Sequence, residues 1–294
     1  MITRQKRNWN IVKAFLMMGV FATTFCLSCT VLPNNRQGFY KGKACYEKGE
    51  YAEAFQFFLA EAQKGDADAE FWVGSCYERG EGITQNYQSV VKWYTRSAEQ
   101  GNASAQNNLA RMHYHGRGTA VDYKKAFDWF MKSSTQGLAE AQYNLGVMYE
   151  NGEGVGQNYQ SAMEWYRKSA DQNFAKAQHN LGVMYFLGKG VSQNYRLAVE
   201  WYTKSVDQDY YKAQNNLGVM YYTGKGVRRD YKKAFYLFLK AAIQGDAEAQ
   251  FSLAIMYYAG RGTAVDYNAG KIWHVKAAIQ GHKAATATLK MFQK

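Results

Sequence analysis

Proline is nearly missing from this sequence, which has one proline in 294 residues. Because proline interrupts helix interiors, its scarcity favours a helical protein. Acidic residues are also in the minority: 24 Asp and Glu stand against 36 Lys and Arg, and the formal net charge is +12. Aromatic residues are abundant instead, and 24 tyrosines and 7 tryptophans exclude a disordered chain. The chain is long enough to bury a sizeable core.

The N-terminal residues differ from the rest in charge and hydropathy. Residues 1–13 carry four basic side chains and no acidic one, and residues 14–32 carry no charge. A basic segment before an apolar one predicts a secretory signal peptide, which we assign to residues 1–28, followed by a short linker over residues 29–36. The uncharged stretch is also just long enough for an uncleaved membrane anchor.

A short motif inside this segment indicates a second way of processing it. Cys26-Leu27-Ser28-Cys29 resembles a bacterial lipobox, in which Cys29 would carry the lipid. The pattern departs from the usual one because Cys26 stands where leucine is common. Cleavage by an ordinary signal peptidase nearby is the alternative.

The remainder of the chain repeats itself every 36 residues. Fixed self-similarity at such a period is typical of helical solenoids. We predict six repeats over residues 67–282, a degenerate N-terminal repeat over 37–66, and a C-terminal half-repeat over 283–294 that forms a capping helix. The motif Ala-x-Ala-Gln/Glu opens the six repeats at Ala67, Ala103, Ala139, Ala175, Tyr211 (in place of alanine) and Ala247.

The residue pattern within each repeat predicts two helices. In the third repeat Ala141, Leu145 and Tyr149 recur every fourth residue, which places them on one helix face. A Gly-x-Gly pair, here Gly152 and Gly154, then ends the first helix, because glycine accepts left-handed backbone angles. An Asx residue that can cap a helix precedes the second helix in all six repeats: Asn86, Asp122, Asn158, Asn194, Asp230 and Asp266.

Residues at two further positions of the repeat support the prediction of a helix pair. A small residue such as Gly146 stands beside the apolar face of every first helix, as expected where a second helix crosses closely. The second helix ends at glycine in most repeats, and Asn173 and Asp209 replace it in the other two. Asparagine and aspartate are among the few residues that tolerate left-handed backbone angles.

The repeat resembles a known family. The consensus A-x-A-Q-x-N-L-G-x-M-Y-x-x-G-x-G-V-x-x-[ND]-Y-x-x-A-x-x-W-[YF]-x-K-[SA]-A-x-Q-G is similar to the Sel1-like repeat, a relative of the tetratricopeptide repeat, and it covers nearly all of residues 37–294. The resemblance implies an all-α, right-handed α-solenoid superhelix of stacked helix–turn–helix repeats. It also implies that the first helices line the concave side and that the protein is an adaptor.

Large side chains at two first-helix positions are the candidates for partner binding. They point away from the helix–helix seam and resemble the anchor residues of binding surfaces. We predict that a protein or peptide partner binds them on the concave side. The alternative is that they fill gaps between neighbouring helices. At the fifth and twelfth positions they are Phe71, Tyr114, Tyr143, His179, Phe186, Tyr222, Phe251 and Tyr258.

Polar residues at two positions of the repeat each have two possible roles. Asparagines at the sixth position could bind peptide backbone, but we expect them to tie the Gly-x-Gly loop to the helix, since buried polar groups need partners. A basic residue at the thirtieth position of every repeat could meet an acidic partner or an anionic surface. We expect it to complement the dipole of the helix C-terminus. The asparagines are Asn108, Asn144, Asn180 and Asn216.

Residues typical of a catalytic or metal centre do not form a pattern. His113 and His115 point to different helix faces, and His113 and His274 occupy positions that are aromatic in most other repeats, which indicates core substitutes. The Gly-x-Gly pairs follow helices, not strands, so they are not a dinucleotide fingerprint. No nucleophile–base pair is recognisable. We predict no enzyme activity, no metal, no cofactor and no nucleic-acid partner.

Cys45 and Cys76 occupy matching positions in neighbouring first helices. They could form a disulfide in an oxidising compartment, although stacked helices lie about 8–10 Å apart and a disulfide needs Cα atoms closer than about 7 Å. Some secreted Sel1-like proteins carry a cysteine pair in every repeat and have been credited with penicillin-binding or β-lactamase activity. This chain lacks such pairs, so its resemblance to that subgroup is weak. A cell-wall-related enzyme is the alternative to an adaptor.

The sequence therefore predicts an exported protein-interaction scaffold in the bacterial periplasm, at the outer membrane or outside the cell, where it could act on a host. An adaptor in a eukaryotic secretory compartment is a further alternative. We expect membrane association only through the N-terminal signal, anchor or lipid.

Overall fold

The structure is a computed structural model that describes residues 36–292, with side chains up to residue 288. The predictions for residues 1–28 and for Cys29 lie outside the described residues. Within the described range the protein forms fifteen α-helices and no β-strand. The helices are α1 (Gln37–Glu47), α2 (Tyr51–Gln63), α3 (Ala67–Arg79), α4 (Tyr87–Glu99), α5 (Ala103–His115), α6 (Tyr123–Thr135), α7 (Ala139–Asn151), α8 (Tyr159–Asp171), α9 (Ala175–Leu187), α10 (Tyr195–Val206), α11 (Tyr211–Thr223), α12 (Tyr231–Ile243), α13 (Ala247–Ala259), α14 (Tyr267–Ile279) and α15 (Lys283–Phe292).

The helices belong to two compact units, which divide between Asn86 and Tyr87. The first unit holds α1 to α3, and the second holds α4 to α15. Within each unit consecutive helices pack against each other, so the prediction of an all-α solenoid of stacked helix–turn–helix repeats is confirmed. None of the helices between residues 36 and 292 combines the length and apolar character needed to cross a membrane.

In the first unit, phenylalanine side chains fill the space between the helices. Phe39 of α1 and Phe58 of α2 are buried, and the Phe58 ring stacks on Trp72 of α3 at 5.3 Å between centroids. Gly42 lies so close to Phe58 that a Cβ atom would stand 2.8 Å from the ring. A short turn through Gly49 joins α1 to α2.

Side-chain caps fix where the second helices of the second unit begin. Asp122 accepts a hydrogen bond from the N–H of Lys125 at 2.9 Å, and Asn158 accepts one from Ser161 at 3.0 Å. The same cap precedes α10, α12 and α14, which confirms the predicted capping column from α6 onward. The first helices α5 and α13 are also capped in this way, which the sequence analysis did not predict.

Left-handed residues end the helices as expected. Asn173 and Asp209 have φ values of 63° and 60° where other repeats use glycine, so the predicted substitution is confirmed. The second glycine of the Gly-x-Gly pair has an additional role. A Cβ atom on Gly154 would lie 2.3 Å from the carbonyl oxygen of Tyr123, at the start of the preceding second helix. Each loop is thereby packed onto the previous repeat.

Small residues allow the two helices of a repeat to cross closely. A Cβ atom on Gly146 of α7 would lie 2.5 Å from the ring of Tyr166 on α8. Gly182 is related in the same way to Tyr202. Both tyrosines are buried, and the predicted close crossing is confirmed.

Glutamine side chains connect one repeat to the next. The Gln172 side-chain N–H₂ group donates to the Gln142 side-chain oxygen at 2.8 Å and to the carbonyl oxygen of Gly137 at 2.7 Å. Gln142 in turn donates to the carbonyl oxygen of Ser134 at 3.3 Å. The bond to Ser134 is buried, and together these bonds join one repeat to the next. Equivalent pairs are Gln136/Gln106, Gln208/Gln178, Gln244/Gln214 and Gln280/Gln250.

The basic column of the second helices lies over aromatic rings. The Lys132 ammonium is 3.9 Å from the centre of the Trp129 ring, and Lys168 is 4.0 Å from that of Trp165. These lysines also lie in the last turn of their helices, where a cation complements the helix dipole. The cation–π contact adds a stabilising role that the sequence analysis did not consider.

Candidate protein-binding surface

The first helices α5, α7, α9, α11 and α13 present side chains that line depressions between neighbouring repeats. We call this the first-helix surface. It consists of the fifth, sixth, ninth, twelfth and thirteenth residues of each of these helices. The first-helix surface belongs to the second unit. Phe71, the remaining predicted anchor, lies on α3 in the first unit and is not part of it.

Three depressions lie along the first-helix surface, each between two neighbouring first helices. Their volumes are about 280 Å³ between α5 and α7, about 190 Å³ between α9 and α11, and about 160 Å³ between α11 and α13. The buried aromatic residue of the intervening second helix forms part of each lining: Phe130, Tyr202 and Phe238.

The predicted anchors at the fifth position pack against residues of the second helix and of the loop that follows it. The Tyr143 ring lies 5.8 Å from Tyr166 and 5.4 Å from Phe174. Phe251 stacks on His282 at 4.5 Å. Tyr143 and Phe251 nevertheless line depressions as well, so packing and exposure to a partner are combined in these side chains.

The predicted anchors at the twelfth position bridge adjacent repeats. The Tyr114 hydroxyl donates to Glu153 of the next repeat at 2.6 Å, and the Lys225 ammonium lies 5.3 Å from the Phe186 ring. Tyr222 is hydrogen bonded by Arg261 in the same arrangement. The rings of Tyr114, Phe186 and Tyr222 each also contact the tyrosine that begins the second helix of the same repeat. Tyr258 contacts Tyr267 in the same way, at 6.2 Å between ring centroids. These contacts show the gap-filling role directly.

Burial changes the acidity of several groups on this surface. Burial raises the pKa of Tyr114, and its hydrogen bond to Glu153 raises it further. Burial lowers the pKa of His179 to about 4, so this imidazole is neutral at physiological pH. His179 lies between two amides, with Nδ1 3.0 Å from the Asn180 oxygen and Nε2 3.0 Å from the Asn216 nitrogen.

The sixth-position asparagines bind side chains of neighbouring helices. Asn108 donates to the Tyr94 hydroxyl at 3.2 Å, and Asn144 donates to the Asn107 side chain at 3.2 Å. The expectation that these asparagines tie the Gly-x-Gly loop to the helix is therefore wrong. A loop glutamine has that role instead: Gln157 donates to the carbonyl oxygen of Glu150 at 2.8 Å.

Charged residues concentrate at the N-terminal end of the first-helix surface. Arg111, Glu140 and Lys176 line the depression between α5 and α7, together with the imidazole of His115. Arg111 lies 3.9 Å from the Glu140 carboxylate, which is a weak contact for an ion pair at the surface. The site therefore offers a partner charges of both signs.

A polar cluster separates this end from the rest. Glu150 accepts a hydrogen bond from the buried Tyr166 hydroxyl at 2.8 Å and from Lys189 at 3.3 Å. Burial and the nearby Glu150 carboxylate raise the pKa of Tyr166. Because Glu150 is already bonded on both oxygens, it is less available to a partner than the charges around Arg111.

Apolar residues dominate the C-terminal end. The described side chains that line the two depressions from α9 to α13 carry no charge. Leu187 is 50% exposed and Ile255 is 37% exposed, although both are large and apolar. The ninth position contributes Val183 and Val219 to the same linings.

The Sel1 repeat family model matches six consecutive segments: residues 67–102, 103–138, 139–174, 175–210, 212–246 and 247–282. The chain belongs to the Sel1 repeat family. Sel1 repeat proteins are generally protein-interaction scaffolds. The fifth match begins one residue late, in the repeat where Tyr211 replaces alanine.

Two solved structures of Sel1 repeat proteins resemble this one. The first is c5321, a protective antigen present in uropathogenic Escherichia coli strains, with 33% identity, a TM-score of 0.74 and coverage of 86% of this chain. This chain spans 58% of the length of c5321. The second is a Sel1 repeat protein from Oxalobacter formigenes, with 26% identity, a TM-score of 0.77 and coverage of 82% of this chain and 96% of that one. A comparison with curated proteins gives no match.

The remaining histidines of the Sel1 repeats are packed into the framework. His274 is buried and lies 3.1 Å from the carbonyl oxygen of Ala285, which confirms its interpretation as a core substitute. His282 lies 3.1 Å from the Glu248 carboxylate. Burial lowers the pKa of His113 and of His115.

Cys45 and Cys76 are both free thiols in the first unit. The proposed disulfide is thus not formed in this structure, and its formation under oxidising conditions stays a prediction. Burial raises the pKa of Cys76 to about 12. The ligand atoms of Cys45, Glu50 and Glu53 lie within 4.8 Å of one another. Burial and the two carboxylates raise the pKa of Cys45, which makes its thiol a poorer metal ligand or nucleophile.

Proposed function

We propose that this protein is an exported Sel1 repeat scaffold that binds an extended segment of a partner protein along the first-helix surface. The observation that carries the proposal is the series of depressions between neighbouring first helices. Depressions with apolar linings and a few polar groups are the usual form of a binding site. Export rests on the basic and apolar pattern of residues 1–32.

The spacing of the depressions suits an extended peptide. Packed helices lie about 8–10 Å apart, and a chain in the extended polyproline II conformation advances about 3.1 Å per residue and presents every third side chain on the same side. Side chains three residues apart on a partner would therefore reach the neighbouring depressions at α9–α11 and α11–α13. We infer that the partner offers two apolar residues at this spacing to the C-terminal end, and charged residues to the end around Arg111.

A host-facing role is part of the proposal. It is supported by the similarity to c5321, which is described as a protective antigen. The predicted export of this chain is compatible with such a role.

Exposed residues provide the sharpest test. Tyr143, Phe186 and Tyr222 also hold repeats together, so replacing them would disturb the fold. We would instead select peptides from a random library by their binding to the unmodified full chain. Their affinity is then measured for this chain and for the variant Leu187→Asp/Ile255→Asp. Selected peptides should bind this variant about tenfold or more weakly, because two apolar contacts are lost.

The matched control is Ile243→Asp/Ile279→Asp, which changes two exposed apolar residues on second helices by the same chemistry. It should bind the peptides like the unmodified chain. Equal binding by all three proteins, or loss in the control alone, would contradict the assignment of partner binding to the first-helix surface.

A further inference from the structure

The last two complete second helices, α12 and α14, expose unusual apolar side chains. Among the described residues, the five most exposed large apolar side chains all lie on these helices. Soluble proteins rarely expose such residues in a cluster unless the cluster binds something. Their exposed fractions are Tyr236 58%, Ile243 69%, Tyr267 70%, Ile272 57% and Ile279 81%.

Four of these residues occupy positions that are acidic in the middle repeats. Tyr236 and Ile272 stand where α8 and α10 have Glu164 and Glu200. Ile243 and Ile279 lie seven residues further along, where the middle repeats have Asp171 and Asp207. Residues seven apart lie on nearly the same face of a helix. The replacements therefore convert one face of two consecutive second helices from acidic to apolar.

The same two helices keep their basic residues and have no acidic ones. Some of the ammonium groups rest on aromatic rings, such as Lys276 over Trp273 at 4.2 Å. Lys240 lies 5.6 Å from the Tyr236 ring and 3.4 Å from Asp209. The basic residues are Lys232, Lys233, Lys240, Lys271 and Lys276.

A depression of about 410 Å³ adjoins the apolar residues on α12. Lys232, Lys233, Tyr236 and Leu237 line it from α12, and Leu217 and Tyr221 line it from α11. The other five repeats have tryptophan at the position of Leu237, and the smaller leucine occupies less of this space. The depression combines cations with an apolar wall, which suits a phosphate group attached to acyl chains.

We propose that α12 and α14 form a docking surface for an anionic lipid bilayer. Tyr236, Ile243, Ile272 and Ile279 enter the boundary between headgroups and acyl chains, and the lysines contact lipid phosphates. Apolar residues flanked by lysines on one helix face are the pattern of helices that lie on membranes, and lysine side chains can place their charge at the headgroups while their stems stay apolar.

Charge complementarity favours a bilayer over a second copy of the chain. A symmetric dimer through this patch would bring the lysines of one copy against those of the other. The docking surface lies on second helices, so it leaves the first-helix surface to the partner protein. It also extends membrane contact beyond the N-terminal segment to which the sequence analysis confined it.

The test compares three full-length proteins by co-sedimentation with vesicles: the unmodified chain, Ile243→Asp/Ile279→Asp and Leu187→Asp/Ile255→Asp. Each variant loses two exposed apolar residues and gains two negative charges, and all three proteins keep residues 1–35. On vesicles of phosphatidylglycerol and phosphatidylcholine, the first variant should partition about tenfold or more weakly. The second variant should partition like the unmodified chain, and vesicles of phosphatidylcholine alone should bind the unmodified chain less.

Several results would overturn the proposal. These are absence of binding by the unmodified chain, equal binding by all three proteins, equal loss in both variants, or binding that does not depend on lipid charge. A change of the Ile243→Asp/Ile279→Asp variant from dimer to monomer in analytical ultracentrifugation, with vesicle binding retained, would assign the patch to self-association. If circular dichroism shows that this variant unfolds, Ile243→Ser/Ile279→Ser replaces it with the same expectation.

Discussion

The repeats that begin at Ala103 and Ala139 and those that begin at Tyr211 and Ala247 share one framework but present different surfaces. Glutamine pairs and close glycine contacts recur in both regions. On the first-helix surface the early repeats place charges around Arg111, whereas the late repeats place uncharged side chains such as Ile255. On the second helices, the mixed charges of the middle repeats give way to apolar residues and lysines.

This difference shows that the residues that stack one repeat on the next and the residues exposed to a partner occupy separate positions of the repeat. The columns that join repeats hardly vary, because each residue must fit both its own repeat and the next one. The exposed columns are free of that constraint. Both surfaces become more apolar toward the C-terminus, so one uniform framework carries two chemically distinct ends.

The largest expected effect comes from breaking the framework in its early region. Gly154 has φ of +71° and no room for a Cβ atom, whereas Gly156 has nothing within 4 Å of one. Gly154→Ala should lower the free energy of unfolding by about 3 kcal/mol or more. The control Gly156→Ala should change it by about 0.5 kcal/mol or less. Urea denaturation measures both, and similar values for the two variants would refute the packing of the loop onto the preceding repeat.

A pH titration examines the boundary between the two regions, where His179 lies. Its pKa is about 4 in the folded chain, below the ordinary 6.5. The unfolded chain therefore binds the proton first as pH falls. The contribution of neutral His179 to the free energy of unfolding should be complete above pH 6.5, decline from pH 6.5 to 4, and amount to about 3 kcal/mol. His179→Gln should flatten this part of the stability profile in chemical denaturation, and an unchanged slope would place the titration elsewhere.

Glutamine substitutions test whether the framework is equally strong at both ends. Gln142→Leu in the early region and Gln250→Leu in the late one each remove two hydrogen bonds, one to a backbone carbonyl group and one from the glutamine of the adjacent second helix. Each should cost about 1–3 kcal/mol in thermal or urea unfolding. A large difference between the two would mean that the joints differ along the chain as the surfaces do.

Helix caps should show the smallest effect. Asn158→Ala in the early region and Asp266→Ala in the late one each remove a cap that accepts one backbone N–H group. Both should lower the free energy of unfolding by about 1 kcal/mol. The control Gln160→Ala lies two residues after the first cap on an exposed helix face and should have little effect.

The sequence predicted features that each repeat determines for itself. The helix pairs, the caps of the second helices, the close crossing at Gly146 and the left-handed Asn173 all depend on residues near in sequence or equivalent in every repeat. The role of Asn108 was predicted wrongly because its partner, Tyr94, is chosen by packing between repeats. The contact between Tyr114 and Glu153 spans 39 residues, and nothing in a single repeat indicates it.

The exposed apolar face of α12 and α14 could have been found from the sequence. The signal is the exchange of Glu164 and Asp171 for Tyr236 and Ile243 at equivalent positions. The residues that the second helices of all six repeats share, such as the capping Asx residue and the tyrosine after it, obscure this exchange at the exposed positions. Exposure is a property of three-dimensional packing, and it distinguishes Ile279 on the surface from buried residues such as Phe238.

The contact of Gly154 with the carbonyl group of Tyr123 has a consequence for how such an array changes in length. Each interface between consecutive repeats is formed by one set of residues from the first repeat and another set from the second, and every repeat carries both sets. Duplication or loss of a 36-residue segment therefore brings complementary interface residues together again, wherever the crossover falls within the array. Recombination can therefore add or remove segments of this protein without a new interface having to evolve, and a crossover out of phase by one residue would destroy the joint.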